Sequence, residues 1–197
     1  MNEKSPRIGS RGTSTPPAAD RSLEAEMRFE QFDSGDAGPT ASSADHANKF
    51  PCCGNYLKNF LTPRYIKSKI PNRWKVFVKW CGNEVWATEA CTWGKGPLVE
   101  INSAKVGRAM GRTTNKDGGD VVCFIHGKVA NKYEQGDGWI IWESTVLHEL
   151  VHWARWKGKL SADVTDGNGG VVEVGKAFET EAYGADVTLQ TPWRAGP

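Results

Sequence analysis

An α+β fold is the class that the sequence predicts, and three observations carry it. Strand-like segments come first, between about residues 74 and 126. Two helical patterns follow, over 144–157 and about 172–188. No segment repeats, so strands and helices are segregated in one domain. The expected architecture is a small mixed or antiparallel sheet beside two helices.

The domain has a legible start. Residues 1–48 are rich in Ser, Pro, Gly, Ala and Asp, and all nine tryptophans lie between Trp74 and Trp193. A segment of that composition buries too little apolar surface to offset its ordering entropy. It therefore reads as a flexible arm or linker, with one short helix around "SLEAEMRFEQF", and 49–197 reads as the folded domain. Within it, "NYLKNFL" suggests a short helix ended by Pro63. "WKVFVKW" alternates and is rich in β-branched and aromatic residues, which predicts a strand, and "EVWAT" predicts a second across a "CGN" turn. "PLVEIN" and "VVCFIH" predict two more strands, and "NKDGGD" and "SADVTDGNGG" predict loops.

Charge and cysteine content narrow the function classes. A net charge of +2 over 197 residues points to neither nucleic acid nor a membrane surface. No run approaches the roughly 18 apolar residues that a membrane span needs. The N-terminus has charge without an apolar core, so no Sec-type signal peptide is expected. Cys52, Cys53, Cys81, Cys91 and Cys123 form no CxxC pair. They read either as buried free thiols or as one or two disulfides made in an oxidising space, with Cys81–Cys91 the first pair to consider.

The stretch "LHELVHW" (residues 147–153) carries the chemistry. Leu147, Leu150, Val151 and Ala154 recur at i, i+3, i+4 and i+7, one apolar helix face. His148 and His152 sit one turn apart on a neighbouring face, the spacing at which two imidazoles share one Zn²⁺. Glu149 lies beside them, placed to take a proton from a zinc-activated water rather than to ligate. A catalytic zinc needs a third protein ligand. Arg155 and Gly158 stand where a metzincin would carry glycine and histidine, so that class is excluded. Asp163 is an alternative, although the glycine and threonine of an aspzincin motif are missing before it.

The favoured third ligand is in "GKAFETEAYGAD". Glu179 shares a helical face with Ala182, Tyr183 and Asp186, and small Ala182 permits close approach to the first helix. Glu181, about 200° away on the wheel, is the other glutamate to weigh. Tyr183 or Asp186 is placed to orient a ligand histidine, and Tyr183 or His126 to donate to an oxyanion. An edge strand within "PLVEIN" or "VVCFIH" is the candidate to hold an extended peptide. Trp153 and Trp156 follow His152 closely and read as packing or rim residues, with glycan contact as the alternative.

"HELVHW", a glycine-rich loop and "GKAFETEAYGAD" together resemble the zincin metallopeptidase domains of bacterial polymorphic toxins, and in particular the effector domains linked to type VI secretion spike proteins. The resemblance covers mainly residues 97–187. It implies a zincin-like fold with one zinc ion per chain and a gluzincin-like site. It also implies delivery into a rival bacterium through a secretion spike or adaptor, and a cognate immunity protein. The target compartment would be the periplasm, with the cytoplasm as the alternative. The substrate would be a protein or a peptidoglycan peptide. A peptidoglycan-directed amidase and a non-catalytic metal-binding interaction domain are the competing functions.

Overall fold

The structure, a computed structural model, describes residues 49–115, 120–166 and 169–191. The arm at 1–48 and its short helix lie outside the described residues, as do most of the "NKDGGD" and part of the "SADVTDGNGG" loops.

The N-terminal part of the domain is helical. α1 (Pro51–Asn55) runs into a π-helical turn (Tyr56–Phe60). Pro63 does not end a helix; it opens α2 (Pro63–Lys69), with Thr62 as N-cap accepting from the Tyr65 amide at 3.2 Å. "WKVFVKW" is not a strand. It is most of α3 (Pro71–Cys81), because Trp74, Phe77 and Cys81 fall on one helical face and all three are buried. Gly82, at φ 81°, terminates α3 in the left-handed conformation that glycine adopts without strain. "EVWAT" likewise belongs to a helix, α4 (Glu84–Ala90). Asn83, expected in a turn, is its N-cap, with its carboxamide oxygen 2.6 Å from the Val85 amide. Cys81 and Cys91 therefore flank no hairpin, and both are free buried thiols.

The sheet is small and mixed. β1 (Leu98–Ile101), β2 (Gly111–Asn115) and β3 (Val121–Ile125) are ordered β1–β3–β2, with β1 parallel and β2 antiparallel to β3. β3 is buried throughout, as an unbroken apolar run requires of a central strand. One side of the sheet carries Leu98, Val122 and Phe124 against Val106 of α5 (Ser103–Val106). α6 (Gly127–Glu134) follows β3.

α7 (Trp139–Lys157) is the central helix, with α3, α4, α6, β2 and β3 all packed on it. It starts five residues before position 144, because "WIIWE" continues the helix and buries Ile141, Trp142 and Glu143. Leu147, Leu150, Val151 and Ala154 are fully buried, as their spacing predicts. The chain then turns into a hairpin of β4 (Asp163–Thr165) and β5 (Val171–Glu173). α8 (Val174–Tyr183) follows without a break and packs on α7 and α3. It is shorter than predicted at both ends: residues 172–173 belong to β5, and Gly184 at φ 81° stops it. Among the described residues no helix is long and apolar enough to cross a membrane.

Replacing the α4 cap, Asn83→Ala, should lower stability by about 1 kcal/mol, read as a reduced urea midpoint at unchanged m-value.

Candidate metal centre

Three side chains converge on one point. His148 and His152 project from α7 one turn apart, their ring centroids separated by 5.1 Å. Glu173 faces both: Oε1 is 2.6 Å from His152 Nε2 and Oε2 is 3.3 Å from His148 Nε2. One ligand atom from each of the three lies within 4.8 Å of the others, the single such group among the described residues. Glu173 is held there by its place in the chain. It ends β5 and caps α8, its oxygens accepting from the Gly175 and Lys176 amides at 2.6 and 3.0 Å. Partial burial alone would raise its pKa. The hydrogen bond with His152, the neighbouring His148 and the Gly175 amide outweigh it and hold the carboxyl at about 2. The first turn of α8 also touches His148 directly. A Cβ on Gly175 would stand 2.3 Å from Nε2, so glycine is required at that position.

Glu179 is close but is not in this group. It is 1% exposed, and both of its oxygens are engaged. Oε1 lies 2.9 Å from His148 Nδ1, and Oε2 accepts from the Val187 amide at 2.8 Å. A carboxylate only accepts, so Nδ1 donates and Nε2 is left facing Glu173. Burial alone would lower the pKa of His148. Hydrogen bonding to Glu179 and the charges of Glu149, Glu179 and Glu173 overcome that and raise it to about 9.

Glu149 is buried beside the histidine pair, with Oε1 4.0 Å from His148 Nε2. Burial raises its pKa, opposed by the charges of His148 and His152 and by Thr113. The Thr113 hydroxyl donates to Oε2 at 2.6 Å. A Cβ on Gly111 would stand 2.4 Å from Oε1. These two β2 residues enclose the carboxylate, one by a hydrogen bond and one by having no side chain. Neither had a signal in the sequence, because "GRTTN" has no apolar alternation.

A cleft of about 880 Å³ opens over these groups, and its lining includes residues of β2 together with Asp186, Thr188, Leu189 and Gln190. The model of a known family, described as metallopeptidase toxin 3, matches residues 46–184. The chain belongs to this metallopeptidase toxin family. Membership makes it a peptidase toxin and implies a bound metal, for which the two imidazoles and Glu173 provide a donor set. No curated protein and no solved structure matches the chain.

Other residues singled out in the sequence of this metallopeptidase toxin have different surroundings. Glu181 accepts from Lys79 Nζ at 2.6 Å and Trp80 Nε1 at 2.9 Å, on the α3 side of α8. Asp163 is exposed in β4, opposite Glu173 in the ladder, and does not line the cleft. The Tyr183 hydroxyl donates to Glu143 at 3.0 Å, with its ring beneath Arg73, so it faces a buried network and not the histidines. His126 caps α6, its Nδ1 accepting from the Lys128 amide at 3.0 Å, and lies outside the cleft lining. Asp186 lines the cleft but pairs with Lys176 at 3.3 Å rather than with a histidine. Trp153 is buried, whereas Trp156 is 46% exposed at the cleft wall.

Gly175→Ala should displace the His148 ring and weaken metal binding by at least about tenfold in chelator competition. The far-UV circular dichroism should be unchanged.

Proposed function

We propose that this chain is a zinc-dependent peptidase whose metal is held by His148, His152 and Glu173, with Glu149 as general base and acid. The observation that carries the reading is the convergence of two Nε2 atoms and one carboxylate beside a buried glutamate from the same helix. Two imidazoles, one carboxylate and an open cleft suit a catalytic zinc rather than a closed structural one. When bound, the ion supplies Lewis acidity and makes water a nucleophile near neutral pH.

In this reading Glu179 is a positioning residue. Its carboxylate fixes the His148 ring and its tautomer through Nδ1. The ligand set is thus gluzincin-like in chemistry, but the glutamate caps the second helix instead of sitting within it. Glu149 accepts the proton of the attacking water and later delivers it to the leaving nitrogen. Thr113 orients the carboxylate for both transfers.

The substrate strand pairs along β2. Of the two strands expected to do this, "VVCFIH" forms the central β3, covered on both edges, and "PLVEIN" forms β1 on the side of β3 away from β2. The His126 amide donates to the Met110 carbonyl at 2.8 Å, one step beyond the Gly111–Ile125 pair. By the alternation of an antiparallel ladder, Arg112 and Thr114 bond to β3, while Gly111 and Thr113 turn their N–H and C=O groups outward. Those outward groups flank Glu149 and are available to an extended peptide.

As a member of a toxin family, the protein is proposed to act inside a rival bacterium after delivery by a secretion system, with a cognate immunity protein in the producer. Expression in a bacterium with and without a periplasmic signal, wild type beside Glu149→Gln, tests toxicity and compartment together. Growth arrest that survives Glu149→Gln would refute the catalytic reading.

Two quantitative outcomes are expected. Glu149→Gln should retain one zinc per chain by elemental analysis while kcat falls about 10²–10⁴-fold. In the same assay of metal content Glu173→Ala should lose zinc, and Glu179→Ala should bind it about 10–100-fold more weakly. Glu181→Ala should match the wild type.

A further inference from the structure

One polar group on the active face of α7 has no use in the chemistry above. Thr145 precedes His148, Glu149 and His152 by three, four and seven residues, so it continues their stripe by one turn. It is 2% exposed and lines the cleft. Its hydroxyl has no hydrogen-bond partner among the described residues. The usual partner of a helical hydroxyl is the carbonyl of the preceding turn. Ser144, next in the chain, follows that pattern by donating to Ile141 O at 3.3 Å, and Thr145 does not. An unsatisfied buried hydroxyl is a net cost to the fold, which a ligand group entering the cleft would remove.

We infer that Thr145 is a specificity-determining residue, whose hydroxyl bonds a neutral polar side chain, a hydroxyl or carboxamide, next to the scissile bond of the substrate. The inference rests on the peptidase reading above. The charge of the surroundings selects the class. Charges of both signs line the cleft, Glu149, Glu173 and Glu179 beside Arg108, Arg112 and Lys176, so no single sign of charge is favoured and a neutral hydroxyl there matches a neutral polar group. An apolar side chain would leave the hydroxyl unpaired. Thr188 and Gln190 also line the cleft and extend its polar character.

A library of decapeptides, identical except at the two positions flanking the cut, tests this with the zinc-loaded full chain. Ser, Asn and Gln are set against Ala, Val and Leu at each position. The wild type should favour the neutral polar residues at one position by about tenfold in kcat/KM. The nearly isosteric Thr145→Val should bring that ratio close to one, and Thr145→Ser should keep it. The melting temperature of Thr145→Val should equal or exceed that of the wild type, because no internal bond is lost. Cleavage with an unchanged preference in Thr145→Val would overturn the inference while leaving the peptidase reading intact. A lowered melting temperature in that variant would also overturn it, by showing the hydroxyl to be bonded within the fold. If the wild type holds stoichiometric zinc and cuts no member of the library, the peptidase reading falls and the inference falls with it.

Discussion

The contact between the Glu179 carboxylate and His148 Nδ1 is the constraint on which the site depends. Removing a carboxylate from water costs several kcal/mol unless its oxygens are well bonded. Glu179 is almost fully buried, and its two oxygens take the imidazole N–H and the Val187 amide. Charge-assisted bonds of this kind contribute about 1.5–3 kcal/mol each, enough to hold the group in one position. Because Glu179 is on α8, His148 on α7 and Val187 beyond α8, one carboxylate sets the register of all three. Glu173 inherits its position from that docking.

Close approach on both sides of the motif completes the arrangement. Gly175 lets the first turn of α8 touch the His148 ring, and Gly111 lets β2 touch the Glu149 carboxylate. A third buried carboxylate, Glu143, anchors α7 farther toward its N-terminus. It accepts from Tyr56 at 2.6 Å and Tyr183 at 3.0 Å, and it pairs with Arg73. Those partners come from the π-helical turn, α8 and α3, so helices on several sides of α7 are tied to one residue. Breaking a buried ion pair of this kind costs about 3–5 kcal/mol because the survivor is left uncompensated. The "WIIWE" segment, which extends α7 beyond the motif, is therefore part of what keeps the active face still.

Local pattern was misleading where one spacing served two structures. "WKVFVKW" satisfies both a strand alternation and a helical stripe, and Pro71 and Gly82 resolve it as a helix by starting and stopping one. Asn83 suits a turn and an N-cap equally, and only the chain after it decides. In the other direction, "VVCFI" and "LVEI" were legible as strands because β-branched runs bounded by turn residues have few other uses. β2 was invisible, since "GRTTN" contributes hydrogen bonds and absence of bulk, not apolar burial.

By itself the sequence determined that α7 would be a helix with one buried face, and that His148, Glu149 and His152 would share the next. Both follow from a period of 3.6 residues and need no other part of the chain. It also marked "AFETEAYG" as a helix meeting that face. Only the tertiary structure decided which carboxylate meets which nitrogen. Glu179 points toward α7 as its spacing requires, but the docking height brings it to Nδ1. Glu173 reaches Nε2 from the junction of a strand and a helix, where no periodicity applies. A ligand set is a matter of angstroms between separate elements, and helical spacing fixes direction along one element but not the distance to the next.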